Sequence, residues 1–288
     1  LHSFPTRRSS DLFVIADELL APGIMLFKIQ APEIARKAAP GQFVIVRLDE
    51  KAERIPLTIA DFDREAGTVT LIIQALGRST IDMCALRSGS GVLDVVGPLG
   101  QPSELEGFKQ VVCIGGGLGI APVYPIARAF KEQGTKVVSI IGARNREFMF
   151  WEDMMRAAST DLHVTTDDGS LGRKGFVTTV LSELLAEGLQ PDIVLAIGPL
   201  PMMKAVSDVT RPYQVYTRVS MNPIMVDGTG MCGACRVKVG SETRFACVDG
   251  PEFDGHRIDW DLARLRANMF KLKERQAMEA AGQGGAVN

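Results

Sequence analysis

At Val111 the sequence changes rhythm, and the change divides the chain into two kinds of fold. Before it, short β-prone runs follow one another at close spacing, over residues 24–30, 42–48 (after the Pro40-Gly41 turn), 68–75 (after Gly67) and 92–96 (before Gly97-Pro98-Leu99-Gly100). Many short strands punctuated by Gly and Pro predict a small barrel or sandwich; one short helix is expected at 80–86. After it, strand-like runs at 111–114, 136–141, 162–166, 192–197 and 214–219 alternate with helical patterns up to Gln133 and at 150–158, 177–187 and 201–209. Such alternation implies a parallel, doubly wound sheet. The class is therefore multidomain, β followed by α/β.

A third pattern follows these two. The run Asp227-Gly-Thr-Gly-Met-Cys232-Gly-Ala-Cys235, followed by Cys247, has the spacing Asp-x4-Cys-x2-Cys-x11-Cys. A plant-type [2Fe-2S] cluster is held by Cys-x4-Cys-x2-Cys and a distant Cys, because one glycine-rich loop must wrap the cluster and present several sulfurs from a short segment. Only the first ligand differs. Asp227 carries the same single negative charge as a thiolate and can keep a ferric iron ligated, and as a harder oxygen donor it alters the potential. Gly228, Gly230 and Gly233 suit a loop whose amides approach sulfide closely. Two other readings of the cysteines stay open at this point: a Cys3His zinc site with His256, and reduced core residues.

The spacing of these patterns gives the domain boundaries. Residues 13–106 are expected to form the barrel, 107–219 the α/β domain, 220–258 the cluster module, and 259–288 a charged helix, over 259–280, with a Gly/Ala-rich tail. Residues 1–12 read as the translation of a short-read sequencing adapter and match nothing that follows, so they are set aside from fold reasoning. The chain's 288 residues suffice for about two domains and a small module.

A net charge of −2 gives no basic excess, which argues against nucleic acid or an anionic membrane as partner. The longest apolar runs, such as 193–201, are broken by Gly and Pro well short of a membrane span. No apolar stretch follows the N-terminal Arg pair, so no secretory signal is expected. Five cysteines, three with metal-ligand spacing, suit a reducing compartment, and the expected location is the cytoplasm. Cys84 and Cys113 lie in apolar surroundings and read as buried bystanders.

Glycines 115, 116, 117 and 119 join a predicted strand to a predicted helix, where backbone approaches a pyrophosphate and the helix N-terminus favours its charge. A tight turn with no ligand would need glycine too. Two further loops should lie at strand carboxyl ends, Thr166-Asp167-Asp168-Gly169-Ser170 and Ile197-Gly198-Pro199, and ligands of open α/β sheets bind there. Arg144 stands where the adenosine ribose is expected. With no acidic residue beside it to hold a 2′-hydroxyl, the choice between NAD(H) and NADP(H) stays open. In the barrel, Arg54-Ile-Pro56-Leu57-Thr58 and Gly77-Arg-Ser79-Thr80 are candidates for a second phosphate-bearing ligand, with surface arginine and helix cap as the plain alternatives.

A barrel with Arg-x-Pro-Leu-Thr, a Gly-Gly-Gly-x-Gly-Ile-Ala-Pro nucleotide domain and a cluster module ending Cys-Val-Asp-Gly-Pro-x-Phe-Asp-Gly together resemble the ferredoxin–NADP reductase superfamily. More narrowly, residues 13–275 are similar to electron-transfer subunits of dihydroorotate dehydrogenase. They are similar also to the small subunits of NADH-dependent reduced ferredoxin:NADP oxidoreductase, also described as sulfide dehydrogenase beta subunits. The resemblance implies that Arg54, Pro56, Leu57, Thr58, Gly77, Ser79 and Thr80 bind FAD. Gly115 to Gly119, Asp168, Gly198 and Pro199 would face the nicotinamide dinucleotide, and Asp227, Cys232, Cys235 and Cys247 would bind the cluster. It implies no catalytic side chain, since cofactors carry the chemistry. It also implies a larger glutamate-synthase-like partner with flavin and [4Fe-4S] clusters, and ferredoxin as a more distant donor or acceptor. Asp227 favours the ferredoxin:NADP-type relatives, because the orotate-pathway subunits usually carry Cys there.

Overall fold

In the computed structural model, which describes residues 12–280, the early strands close into the expected barrel. They are β1 (Val14–Ala21), β2 (Ile24–Gln30), β3 (Phe43–Arg47), β4 (Ile55–Asp63), β5 (Thr68–Gln74) and β6 (Asp94–Leu99), in the antiparallel order β1-β2-β5-β4-β3-β6. Phe13 bridges to Gly91, and Val92 N–H donates to the Leu12 carbonyl at 3.0 Å, so the two edges meet. The segment read as adapter lies outside the described residues except for Leu12, whose side chain is buried in the barrel.

The barrel departs from expectation in several places, strand β1, over which no strand was expected, among them. Strand β6 begins at Asp94 and runs on through Pro98 to Leu99, not over 92–96. The sequence carries no clear strand signal over β4, since Pro56 cannot donate to a ladder. Residues Ile55 to Thr58 pair only with β3, while Ile59 to Asp63 pair only with β5, so Pro56 sits where the strand has a single neighbour. Two short helices complete the domain, α1 (Pro32–Lys37) and α2 (Arg78–Cys84). α2 starts two residues before the expected position because the Thr80 hydroxyl accepts from the amides of Leu76 and Gly77, both at 3.0 Å, which fixes the cap at Gly77.

The second domain runs β7 (Gln110–Gly116), α3 (Ile120–Glu132), β8 (Lys136–Ala143), α4 (Glu152–Ala157), β9 (Asp161–Thr166), β10 (Arg173–Lys174), α5 (Val177–Ala186), β11 (Ile193–Ile197), α6 (Leu200–Thr210) and β12 (Thr217–Ser220). A hairpin of β13 (Arg236–Val239) and β14 (Glu242–Phe245), then β15 (Glu252–Asp254), follow in the cluster module. The large sheet has the order β10-β9-β8-β7-β11-β12-β15, parallel except for β15. Its strands bury both faces. Val111 and Cys113 of β7 enter a core with α3 and α4, while Val112 and Ile114 enter a core with α5 and α6. Burying one such side chain stabilises by about 1.5–3 kcal/mol, so residues on either face of these strands hold helices to the sheet. β12 starts at Thr217 and not at 214, because Gln214 adopts φ 55° after a single helical turn at Arg211–Tyr213. Cys113 is fully buried as expected; Cys84 is only half-buried, with its thiol 3.8 Å from the Ile73 carbonyl.

The charged C-terminal stretch forms two helices, α7 (Trp260–Ala267) and α8 (Lys271–Ala280), rather than one. α7 is tied to the cluster module, Trp260 Nε1 donating to the Gly255 carbonyl at 3.1 Å, whereas α8 turns toward α2 of the barrel. A single straight helix cannot serve both anchors. Among the described residues no helix is long and apolar enough to cross a membrane.

The three parts meet at a largely buried junction. Arg218 of β12, with its side chain 7% exposed, donates to Glu252 of β15 at 3.3 Å and to Glu104 of the inter-domain connection at 2.8 Å. The Ser103 hydroxyl donates to the other Glu252 oxygen at 2.5 Å. Burial pushes the Glu252 carboxyl up from its ordinary value, and Ser103 and Arg218 pull it back. The barrel also docks on α3, where Arg128 meets Asp61 of β4 at 2.6 Å.

Candidate cofactor sites

The strand order places a crevice at the join. The chain visits β7, β8 and β9 in one direction and β11 and β12 in the other, so the loops after β7 and β11 face each other at the switch point, where open α/β sheets take ligands. A cavity of about 960 Å³ opens there between sheet and barrel. The glycines of the loop do different work. Gly117 stands at φ 55° with nothing within 4 Å of its missing Cβ, leaving room for a phosphate. A Cβ on Gly119 would lie 2.1 Å from the Ile197 carbonyl oxygen, so glycine is what lets α3 begin against β11. Gly119→Ala is therefore expected to weaken nicotinamide dinucleotide binding at least about tenfold, by forcing apart the two loops that form the crevice. Titration with the dinucleotide measures this, and FAD content should be unchanged because the barrel is untouched.

Of the residues singled out in the sequence, Pro56, Leu57, Thr58, Gly116, Gly117, Gly119, Arg144, Gly198 and Pro199 line this crevice. Gly115 lies beneath it, its missing Cβ 2.9 Å from the Ile120 backbone. Arg54 is exposed at the head of β4. Gly77, Ser79 and Thr80 form the turn just past the lining residue Leu76; Ser79 donates to Glu53 at 2.6 Å, and Thr80 caps α2. Asp168 is not among the residues that line the crevice. Its carboxylate accepts the Ser170 hydroxyl at 2.7 Å and amide at 2.9 Å, bonds that hold it below the usual carboxylate range. Asp167 lines the crevice instead.

The lining also includes Phe43, Gln74, Phe148, Phe176, Met202 and Asn222, none of which the sequence reading had singled out. Asn222 was within reach of it, since it follows the carboxyl end of β12. The Arg144 guanidinium lies 5.9 Å from the Phe148 ring centre.

The cysteines meet because of a hairpin. β13 and β14 pair with Arg236 opposite Phe245, which sets Cys235 beside Ala246, whose amide donates to the Cys235 carbonyl at 3.1 Å. Cys235 and Cys247, each 2% exposed, then bring their sulfurs to 3.2 Å, well beyond the roughly 2.05 Å of a disulfide. Burial and the neighbouring Cys235 push the Cys247 thiol up to about 12. Two adjoining buried thiols become thiolates only against a cation, the condition a metal supplies.

Cys232 is exposed and held down from its ordinary value, first by the amide of Ala234 and then by those of Asp227 and Val226. The Gly230 amide plays the same part for Cys247. The Asp227 carboxyl is held below its ordinary value chiefly by the Thr229 hydroxyl and also by the Thr229 amide at 3.0 Å. Amides directed at sulfur and a carboxylate of fixed charge fit an iron–sulfur group. No three His, Cys, Asp or Glu side chains among the described residues are placed to share a single ion. His256 stands apart, its Nε2 2.9 Å from the Thr210 hydroxyl, so the Cys3His zinc set is not assembled.

The cluster loop and the crevice share a wall. A Cβ on Gly228 would lie 2.4 Å from Ile45 Cδ1 and 3.0 Å from Leu99 Cδ1, so the loop backbone rests directly on barrel side chains. Met225, which lines the crevice, belongs to the same core as Phe43, Cys235 and Cys247.

Comparison with known proteins agrees with this geometry. Residues 113–208 match the family described as "Oxidoreductase NAD-binding domain" and residues 222–259 the "Iron-sulfur cluster binding domain of dihydroorotate dehydrogenase B". A Thermotoga maritima protein named "Dihydroorotate dehydrogenase B (NAD(+)), electron transfer subunit homolog" is 45% identical over 90% of this chain and 92% of its own length. The corresponding electron transfer subunit of Shouchella clausii is 37% identical over 76% of this chain and 86% of its own. A chain from a solved structure of NADH-dependent reduced ferredoxin-NADP oxidoreductase, reported for insights into flavin-based electron bifurcation, superposes with a TM-score of 0.89. It is 42% identical, over 94% of this chain and 98% of that one.

Proposed function

Because the chain belongs to the family of dihydroorotate dehydrogenase B electron-transfer subunits and their homologues, we propose that it carries electrons between NAD(H) and a larger flavoprotein of the ferredoxin:NADP oxidoreductase type. The chain is an oxidoreductase subunit with an NAD-binding domain and an iron–sulfur domain on a ferredoxin–NADP reductase fold, a fold that binds FAD. The observation that supports the finer reading is the shared wall, since a flavin held in the crevice would then lie beside the cluster loop. Hydride carriers move two electrons together and iron–sulfur centres one, and FAD supplies the conversion between them.

On this reading residues 13–106 hold FAD, with Pro56, Leu57 and Thr58 along the ring and Arg54, Gly77, Ser79 and Thr80 toward its phosphates. Residues 107–219 hold NAD(H) through the loop of Gly115, Gly116, Gly117 and Gly119, with Gly198 and Pro199 opposite, Arg144 beside the ribose and Asp168 supporting its loop. Residues 220–258 would hold the cluster through Asp227, Cys232, Cys235 and Cys247, while α7 braces that module from outside. No side chain acts as nucleophile or base. The protein's own work is to orient two ring systems, exclude water from the crevice and set potentials.

The relatives' names favour a second reading, in which the partner is a dihydroorotate dehydrogenase. Anaerobic co-purification from the source cell separates the two. A larger subunit with flavin and [4Fe-4S] clusters is expected, and a dihydroorotate-oxidising partner would replace this reading with the second. A colourless protein carrying zinc and no flavin would contradict both.

A further inference from the structure

We propose that Arg266 is a positioning residue that raises the reduction potential of the cluster, by fixing a positive charge against the loop between Cys232 and Cys235. The inference rests on the cluster reading above. Arg266 lies 32 positions from Ala234, yet its Nη2 donates to the Ala234 carbonyl at 2.7 Å. Ala234 is flanked by Gly233 and Cys235, so this bond holds the segment that presents two of the three thiols.

The helix that carries Arg266 is not free to drift. The Asp259 carboxylate accepts the Leu262 amide at 2.9 Å, capping α7, and the Asp259 amide donates to the Lys238 carbonyl at 3.0 Å. Ile258 bridges to Val239. α7 is thereby joined to β13, the strand that begins one residue after Cys235. A guanidinium on such a mount has a fixed place relative to the cysteines.

A second observation concerns the same side chain. Arg266 Nε is buried and has no hydrogen-bond partner, one of only two such side-chain atoms among the described residues. A buried cationic donor without an acceptor is a state that folded chains avoid. A cluster ligated by a carboxylate and three thiolates is net negative and becomes more so when reduced, so a fixed cation beside it relieves the guanidinium and favours the reduced form. The other cations around the loop are weaker candidates. Arg54 acts on Asp227 and Arg236 reaches toward Gly233, but both are exposed, and solvent and salt screen them.

The test uses the full chain, purified anaerobically as wild type, Arg266→Gln and Arg266→Lys, with iron and sulfide assayed first. Wild-type protein lacking both would sink the cluster reading itself, separately from this inference. With the cluster present, Arg266→Gln should lower the reduced-to-oxidised ratio at a fixed poise by about tenfold, ~59 mV for a one-electron couple. The EPR signal of the reduced cluster should shift with it. Arg266→Lys, which keeps the charge, should stay close to wild type. A potential and EPR signal unchanged in Arg266→Gln would overturn the proposal. Loss of iron and sulfide from both variants would overturn it as well, since the arginine would then be a fold determinant of the loop and not the setter of its potential.

Discussion

Asp227→Ala is expected to strip most of the iron and sulfide from the purified protein, whereas Asp227→Cys keeps both and changes the potential. The difference follows from charge. Alanine leaves one iron short of an anionic donor, while cysteine restores the thiolate that plant-type loops use and changes only donor softness. Asp227 also closes its own turn, accepting from the Thr229 amide and hydroxyl, so the alanine variant removes a loop bond as well as a donor. Asp227→Asn separates the two roles. Its amide oxygen still accepts from Thr229 but carries no charge, so iron loss in this variant identifies Asp227 as a ligand. Full iron content with an unchanged potential in all three variants would remove Asp227 from the ligand set. Iron and sulfide analysis with potentiometric EPR decides it.

Arg218→Met should be the most damaging single substitution to the fold. It leaves Glu252 buried, 8% exposed at its side chain, with only the Ser103 hydroxyl to answer its charge. Breaking one side of a buried ion pair costs about 3–5 kcal/mol, which in a chain of this size lowers the melting temperature by roughly 10 °C. The double variant Arg218→Met with Glu252→Met removes the uncompensated charge and should recover much of that loss. A thermal scan of the cofactor-loaded protein reads both. Because Arg218, Glu252 and Glu104 come from the sheet, the cluster module and the inter-domain connection, the single variant should also loosen the modules' relative placement. Equal melting temperatures for wild type and Arg218→Met would show that the junction carries no net stability.

How much of this was legible in the sequence depended on the kind of constraint. The parallel strands were readable because burial on both faces leaves continuous apolar runs, as in Val111 to Ile114 and Ile193 to Ile197. The cluster loop was readable because ligand spacing is local. β4 was hidden by Pro56, which its one-sided pairing tolerates. β15 was hidden by its three-residue length and by a role that exists only beside β12, so the boundary expected at 219/220 is crossed by the sheet itself. In the crevice, the glycine loops announced themselves, while Phe148 and Phe176 carry no motif and reach the lining from separate segments of the chain. Arg266 was out of reach for the same reason: its partner is 32 residues away, and nothing in a charged helix marks which arginine turns inward.

In the proposed function one chain connects a nicotinamide dinucleotide to an iron–sulfur cluster through a flavin. The most direct measurement is to add NADH anaerobically to the isolated, cofactor-analysed chain and record the low-temperature EPR spectrum. The connection predicts bleaching of the flavin absorbance together with the signal of a reduced [2Fe-2S] cluster, from protein holding about one FAD and two irons per chain. Flavin bleaching with a cluster that dithionite reduces and NADH does not, or a chain with no flavin, would contradict it.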